Sequence, residues 1–244
     1  MFNAYRVDFM NPDKHSDKVT NYDYKLSYVS KEWGSPEAQT NLITVPGSSI
    51  PLDYTEAVTG DVSYNPIESV IHFKVERILP ENLAFFKSTL LNKFQGKRIH
   101  ISFVDDESYY WNARVNVTFG THNANLSLDV DFNLSCDPYK YTMDDALGGW
   151  LWDSFDFEND VINELKYLDV PGEATYELYT NARVGVPTIW NHNGIDMTVT
   201  FKGKTYELAN GANKMYDLAL DVGANTFIFA GNGVVSIQYR GGKL

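Results

Sequence analysis

Cysteine is nearly absent from this 244-residue chain, which holds one, Cys136. A single thiol closes no internal disulfide, so the fold is expected to need no oxidising compartment. Basic side chains are scarce too. Lys and Arg total 20 against 32 Asp and Glu, a net charge of −12. Cutting after Pro138 leaves −6 on each side, so no basic arm hides inside the acidic average. Phosphate backbones are bound by clustered cations, so specific nucleic-acid binding is not expected. No run approaches the ~18 uncharged apolar residues of a membrane helix. The first residues, MFNAYRVDFMNPDK, lack the apolar stretch of a signal peptide. The expectation is a soluble protein made in a reducing cytoplasm, with no membrane contact.

Patterns that carry chemistry are missing as well. G-x-S-x-G, G-x-x-x-x-G-K-[ST] and G-x-G-x-x-G do not occur. The histidines, His15, His72, His100, His122 and His192, include no pair at i, i+2 or i, i+4, and Cys-x-x-Cys is absent. Acids cluster at Asp105-Asp106-Glu107, Asp144-Asp145 and Asp153 to Asp160. A glycosidase needs two carboxylates facing each other across a cleft, and no such pair is singled out. No metal, no cofactor and no enzymatic activity are expected.

Aromatic side chains are abundant: 5 Trp, 16 Tyr and 14 Phe. Such residues suit half-buried pleated surfaces. Residues 126–136, LSLDVDFNLSC, alternate strictly between apolar and polar, which predicts a strand with one dry and one wet face. Upstream, 99–104 and 109–119 flank the polar turn 105–108, and the three segments predict an antiparallel meander. One helix is expected over 81–95, where Leu83, Phe86, Leu90 and Phe94 share a face. A short helical turn at 160–168 is a second expectation.

The texture changes after Cys136. We read 1–138 as one domain, 139–149 as a Gly-containing acidic linker, and 150–244 as a second domain. In the latter, short apolar runs at 176–180, 186–190, 196–201, 204–208, 217–222, 225–230 and 234–239 alternate with turn signals at Asn193-Gly194, Lys202-Gly203, Asn210-Gly211, Gly223 and Gly231-Asn232-Gly233. That spacing predicts a β-sandwich. The last run, 234–239, is left open between the second domain and pairing with the first.

Residues 10–45 are polar and lack a period, with Tyr22, Tyr24, Tyr28 and Trp33 scattered through them. Long irregular segments in compact domains are usually functional, so this stretch reads as an extended arm whose aromatics anchor a partner. Trp190, with His192 and Asn193 in the turn after it, is a candidate sugar-stacking surface; Trp150 and Trp152 are weaker ones.

Three segments, read in order, resemble one family. They are ITVPGSSIPLDYTEAVTGDVSYNP (43–66), FQGKRIHISFVDDESYYWNARVNV (94–117) and CDPYKY (136–141), with GNGVVSIQYRGGKL at the carboxyl end. The chain is similar to the distal tail proteins, Dit, of siphophages that infect Gram-positive bacteria. Ser48-Ser49-Ile50-Pro51 departs from the family's usual glycine and basic residue after Pro-Gly. The resemblance implies a mainly β chain: an amino-terminal β-sandwich-like domain with one helix and a hairpin arm, and a galectin-like or carbohydrate-binding-module-like sandwich after it. It implies a virion structural protein of the tail tip and baseplate, six copies forming a hub ring that serves host adsorption. Its partners would be the tail tube protein, a tail-associated lysin or tip protein, receptor-binding proteins and a host surface saccharide. The 10–45 aromatics and the Val45-Pro46-Gly47 loop are then the expected ring interface. The alternative reading is a carbohydrate-binding β-sandwich that forms no ring.

Overall fold

The structure is a computed structural model that describes residues 5–12, 14–57, 62–143, 165–180, 186–218, 220–239 and 242–243. The chain divides into two compact units, with the boundary between Lys140 and Tyr141. The first carries strands β1 (Val7–Asn11), β2 (Lys14–Thr20), β3 (Ser27–Glu32), β4 (Leu42–Ile43), β5 (Leu52–Asp53) and β6 (Ile67–Val75). Helix α1 (Pro80–Phe94) follows, then β7 (Arg98–Phe103), β8 (Tyr109–His122) and β9 (Leu128–Thr142). Seven of these strands form one sheet in the order β2-β1-β7-β8-β9-β6-β3. The meander expected from sequence is its β7-β8-β9 centre.

Alternation places the side chains. In β6, Ile67, Ile71, Phe73 and Val75 are buried while Glu68 is exposed and His72 and Lys74 are half-buried. In β9, Leu128, Val130, Phe132, Leu134 and Cys136 are all buried. The register Ile67↔Cys136 to Val75↔Leu128 puts these two dry rows on one face. Helix α1 covers that face. Leu90 and Phe94 are fully buried, and Leu83 and Phe86 pack at the margin. The Phe94 ring lies 5.1 Å from Phe9 and 5.0 Å from Phe132, which lies 5.1 Å from Phe73. Burying each such ring contributes about 2–3 kcal/mol, so this cluster fixes the helix on the sheet. Gly96, at φ +70, ends it, a conformation that favours glycine.

The arm expected over 10–45 is largely not an arm. β2 and β3 are the two edges of the sheet, and an edge strand can stay polar because it has less to bury; this is why the segment shows no period. Between them the short helical turn Asn21–Tyr24 is pegged from within. Asn21 is fully buried; its Oδ1 accepts from Val7 N at 3.0 Å and its Nδ2 donates to Leu26 O at 2.8 Å. What leaves the sheet is the excursion 33–66, which holds the β4-β5 hairpin.

In the second unit, β10 (Leu168–Thr180), β11 (Thr188–Asn191), β12 (Ile195–Phe201), β13 (Lys204–Leu208), β14 (Gly211–Asn213) and β15 (Gly223–Gln238) form one hydrogen-bonded sheet among the described residues. The 16-residue β15 is its spine. It pairs with β10 from Gly223 to Val235, with β12 from Ile228 to Asn232 and with β11 from Val235 to Gln238. Phe227, Phe229, Val235 and Ile237 of β15 are buried, as are Val199 and Phe201 of β12, and the Phe201 and Phe227 rings stack at 4.8 Å. Mainly β architecture is therefore shared by both units. Two expectations need correction. Gly231-Asn232-Gly233 is not a turn but lies inside β15, because a Cβ at Gly233 would meet Gly194 Cα at 2.6 Å; the glycines admit the 191–197 turn. Run 234–239, left open by the sequence, carries the end of β15, which pairs with β10 and β11. β9 also runs on to Thr142, so the start of the expected 139–149 linker is strand. The rest of that linker, the helical turn over 160–164, and Trp150 and Trp152 lie outside the described residues, and Leu165 to Tyr167 are not helical.

Candidate assembly surface

The excursion 33–66 is a stem and a hairpin. In the stem, Ala38 and Tyr64 form a bridge, Gln39 N donates to Ser63 O and Asn65 N to Glu37 O, both at 2.8 Å. Tyr64 meets the Tyr139 ring edge-on at 6.0 Å. The hairpin closes where Tyr54 N donates to Asn41 O at 2.9 Å and Asn41 N to Thr55 Oγ1 at 3.1 Å. Asp53 accepts from the Thr55 hydroxyl and from Thr55 N at 2.9 Å. The Thr55 hydroxyl, then its N–H, hold the Asp53 carboxyl below its ordinary range. At the tip Ser48 N donates to Val45 O at 3.1 Å and Gly47 sits at φ +86. The Ser48 hydroxyl accepts from Ile50 N and donates to Ile50 O.

Polar groups fix this ribbon, while its apolar side chains face solvent. Leu42 is 54% exposed, Ile43 47%, Ile50 77% and Leu52 50%. A two-stranded ribbon has no core of its own, and grouped exposed apolar residues mark interaction surfaces. Of the residues expected at an interface, Val45, Pro46 and Gly47 stand at this tip. The four apolar neighbours were not singled out by sequence, although two apolar pairs flanking a Pro-Gly loop are a hairpin signal.

The four arm aromatics are placed differently. Trp33 packs into its own unit, its ring 5.2 Å from Phe103 and 5.1 Å from Trp111. Tyr24 meets Phe94 at 5.2 Å and Tyr28 stacks on Tyr5 at 4.2 Å. Burial raises the phenol pKa of both. Tyr5 in turn donates to Asp105 at 2.6 Å, and burial with that bond pushes its phenol well above its ordinary value. Tyr22 alone of the four is a largely exposed side chain.

In the second unit Trp190, His192 and Asn193 are brought together and tied to β15, Trp190 half-buried and the other two exposed. Trp190 Nε1 donates to Gln238 Oε1 at 3.1 Å, His192 Nε2 lies 2.8 Å from Ser236 Oγ, and Asn193 Oδ1 accepts from Val234 N at 2.8 Å. The exposed Tyr167 ring sits 4.9 Å from His192 and went unnoticed in sequence. Cys136 is buried, and burial, then Asp137 and Glu68, push its thiol up to about 12. No cluster of three metal-ligating side chains occurs among the described residues, and no helix among them is long and apolar enough to cross a membrane.

A helix-covered sheet with a hairpin excursion, followed by a second β unit, is an architecture similar to that of a solved phage tail protein. The match that carries this statement is the crystal structure of the SPP1 Dit protein (gp 19.1), described as a paradigm of hub adsorption apparatus in phages infecting Gram-positive bacteria. It is 14% identical, the alignment covers 98% of this chain and 99% of that one, and the TM-score is 0.53. A chain of the phage P2 baseplate in its activated conformation with calcium matches at 11% identity over 97% of this chain and 98% of that one, with a TM-score of 0.46. The strontium form of that baseplate gives 11% identity over 98% of each chain and a TM-score of 0.45. No protein-family model and no curated protein matches this chain.

Proposed function

We propose that this protein is the hub at the distal end of a siphophage tail, six copies closing a ring that joins the tail tube to the tip and adsorption apparatus. The observation that carries the reading is the likeness to SPP1 Dit over 98% of the chain. The hairpin supports it. A ring needs a heterologous contact, in which one patch meets a different patch on the next copy, and the exposed Leu42, Ile43, Ile50 and Leu52 supply one such patch. A net charge of −12 suits a channel that passes DNA without binding it. The partners of the ring are the tube protein on one side and a tail-associated lysin or tip protein on the other, with receptor-binding proteins at the rim. The surface around Trp190, His192, Asn193 and Tyr167 is the candidate for a host saccharide. The role is structural, and no catalytic residue is assigned.

Light scattering coupled to gel filtration tests this. The full chain is expected at six times 27.7 kDa, or a multiple of that ring. Replacing 42–54 by two glycines is sterically simple, because the flanking residues already touch, Asn41 N donating to Thr55 Oγ1 at 3.1 Å. The product is expected to be a monomer with an unchanged melting temperature. A full-length protein that stays monomeric at every concentration overturns the ring.

A further inference from the structure

Where β3 ends and the excursion begins, the edge of the first sheet holds a cleft of about 370 Å³. Clefts of about 300–1,000 Å³ are the size that takes small ligands. Glu32, Trp33, Glu68, Val70 and Asn133 are among its walls. Glu32 stands opposite Val70 in the β3-β6 register, and Val70 opposite Asn133 in the β6-β9 register. Glu68 lies two residues before Val70 and so shares its side of the strand. Glu32 and Glu68 are therefore diagonal neighbours on adjacent strands, about 7–8 Å apart, and both are exposed. Gly34 lets the chain pass tightly beside β6: a Cβ there would meet Glu68 O at 2.8 Å.

The hydrogen-bond inventory of the cleft says what it can hold. Gly34 N–H is taken by Ser69 Oγ at 3.3 Å. Asn133 Nδ2 donates to Asn116 O at 3.2 Å and to Thr118 Oγ1 at 2.9 Å, which leaves its Oδ1 to accept. Glu68 makes no ion pair with any described residue. Glu32 has one nitrogen of the His72 ring at 3.5 Å, and the other nitrogen of that ring is held by Asp131 at 2.7 Å. Lys74, further along the same row of β6, stands opposite Asp129. Of the open polar groups only the Trp33 Nε1–H is a donor, and it is buried. The others accept, and two of them are carboxylates. Val70 and the Trp33 indole supply the apolar surface.

We propose that this cleft binds a linear alkyl diamine, with one ammonium on Glu32 and Asn133 Oδ1 and the other on Glu68. Amines of this kind keep both protons at neutral pH. Each ammonium is a pure donor set, and bonds between charged partners are the strong ones. The methylene stem lies along Val70, as long cationic side chains lie along apolar surface. A monoamine meets one carboxylate and leaves the other unanswered. A divalent metal ion is a poorer fit: calcium takes about 6–8 oxygen ligands around one point, and no cluster of three metal-ligating side chains occurs among the described residues. Asp129 and Asp131 on the same face of β9 add to the negative potential that draws a doubly charged cation in. The site belongs to the first unit and does not depend on ring closure.

Titration calorimetry of the full-length protein with 1,4-diaminobutane tests it, at about 50 mM salt so that exposed ion pairs are not screened. One diamine is expected to bind per chain and to raise the melting temperature, as a ligand of the folded state does. Butylamine and magnesium chloride are expected to give no saturable heat. Glu32→Gln/Glu68→Gln is expected to weaken binding about tenfold or more, with an unliganded melt like the wild type's. Glu173→Gln/Glu177→Gln removes the same charge from exposed positions on β10 and is expected to leave binding within about twofold. Equal losses in the two variants overturn the site and make the amine a general counterion of an acidic chain. The absence of saturable binding overturns it, as does butylamine binding as tightly as the diamine. Magnesium competing one for one overturns the diamine and makes the cleft a metal site. None of these results bears on the hub reading, which light scattering decides separately.

Discussion

Trp33→Ala is expected to destabilise the subunit while leaving its assembly intact. The indole is half-buried against Phe103 and Trp111. Truncating a fully buried Trp costs about 3–5 kcal/mol, and each aromatic pair adds about 0.5–1.5 kcal/mol beyond area. Two terms reduce the loss. The ring is partly exposed, and its Nε1 is buried without a hydrogen-bond partner among the described residues, so its removal relieves a desolvation cost of about 1 kcal/mol. The net expectation is about 2 kcal/mol. Unfolding entropy of about 2.1 cal/mol/K per residue, over a unit ending at Lys140, converts this to a drop of about 7 °C. Calorimetry of the full chain reads the melt, and light scattering on the same sample reads the mass. Loss of the assembly with an unchanged melt refutes the reasoning and makes Trp33 an interface anchor.

Asn21→Ala strips partners from Val7 N and Leu26 O inside the sheet; a loss of about 2–4 kcal/mol is expected, against less than about 0.5 kcal/mol for the exposed Tyr22→Ala, by urea titration. Gly194→Ala places a Cβ 1.8 Å from Met197 Sδ. The second unit is expected to lose about 2 kcal/mol or more while the first is unaffected, as hydrogen exchange would show unit by unit. Cys136 is expected to resist iodoacetamide at pH 8 in the native protein and to react in denaturant. Its folded pKa stands at about 12 against 9.0 for the free thiol, and a group raised on folding stabilises below the unfolded value. That contribution is therefore lost as pH climbs from 9.0 towards about 12.

Strands that bury one whole row were legible: β9 and the turn between β7 and β8 follow from alternation, and α1 from the spacing of Leu83, Phe86, Leu90 and Phe94. Edge strands were not. β2 and β3 have no row of apolar residues because their outer edges need none, and the buried Asn21 that ties them looks like any polar loop residue until its three-dimensional partners are known. Gly231-Asn232-Gly233 misled for a related reason. Glycine there answers the close approach of Gly194 and Met197 from another strand, not a change of chain direction. The assembly surface was half legible. Pro46-Gly47 marks a loop, but whether Leu42, Ile43 and Leu52 are buried or bare depends on what the rest of the chain lays over them.

Electron microscopy of the purified full-length protein tests the hub reading most directly. The account predicts closed six-fold rings with an open centre, lost when 42–54 is replaced by two glycines. Particles of single subunits or simple pairs, at concentrations where the hairpin variant and the wild type look alike, would contradict it.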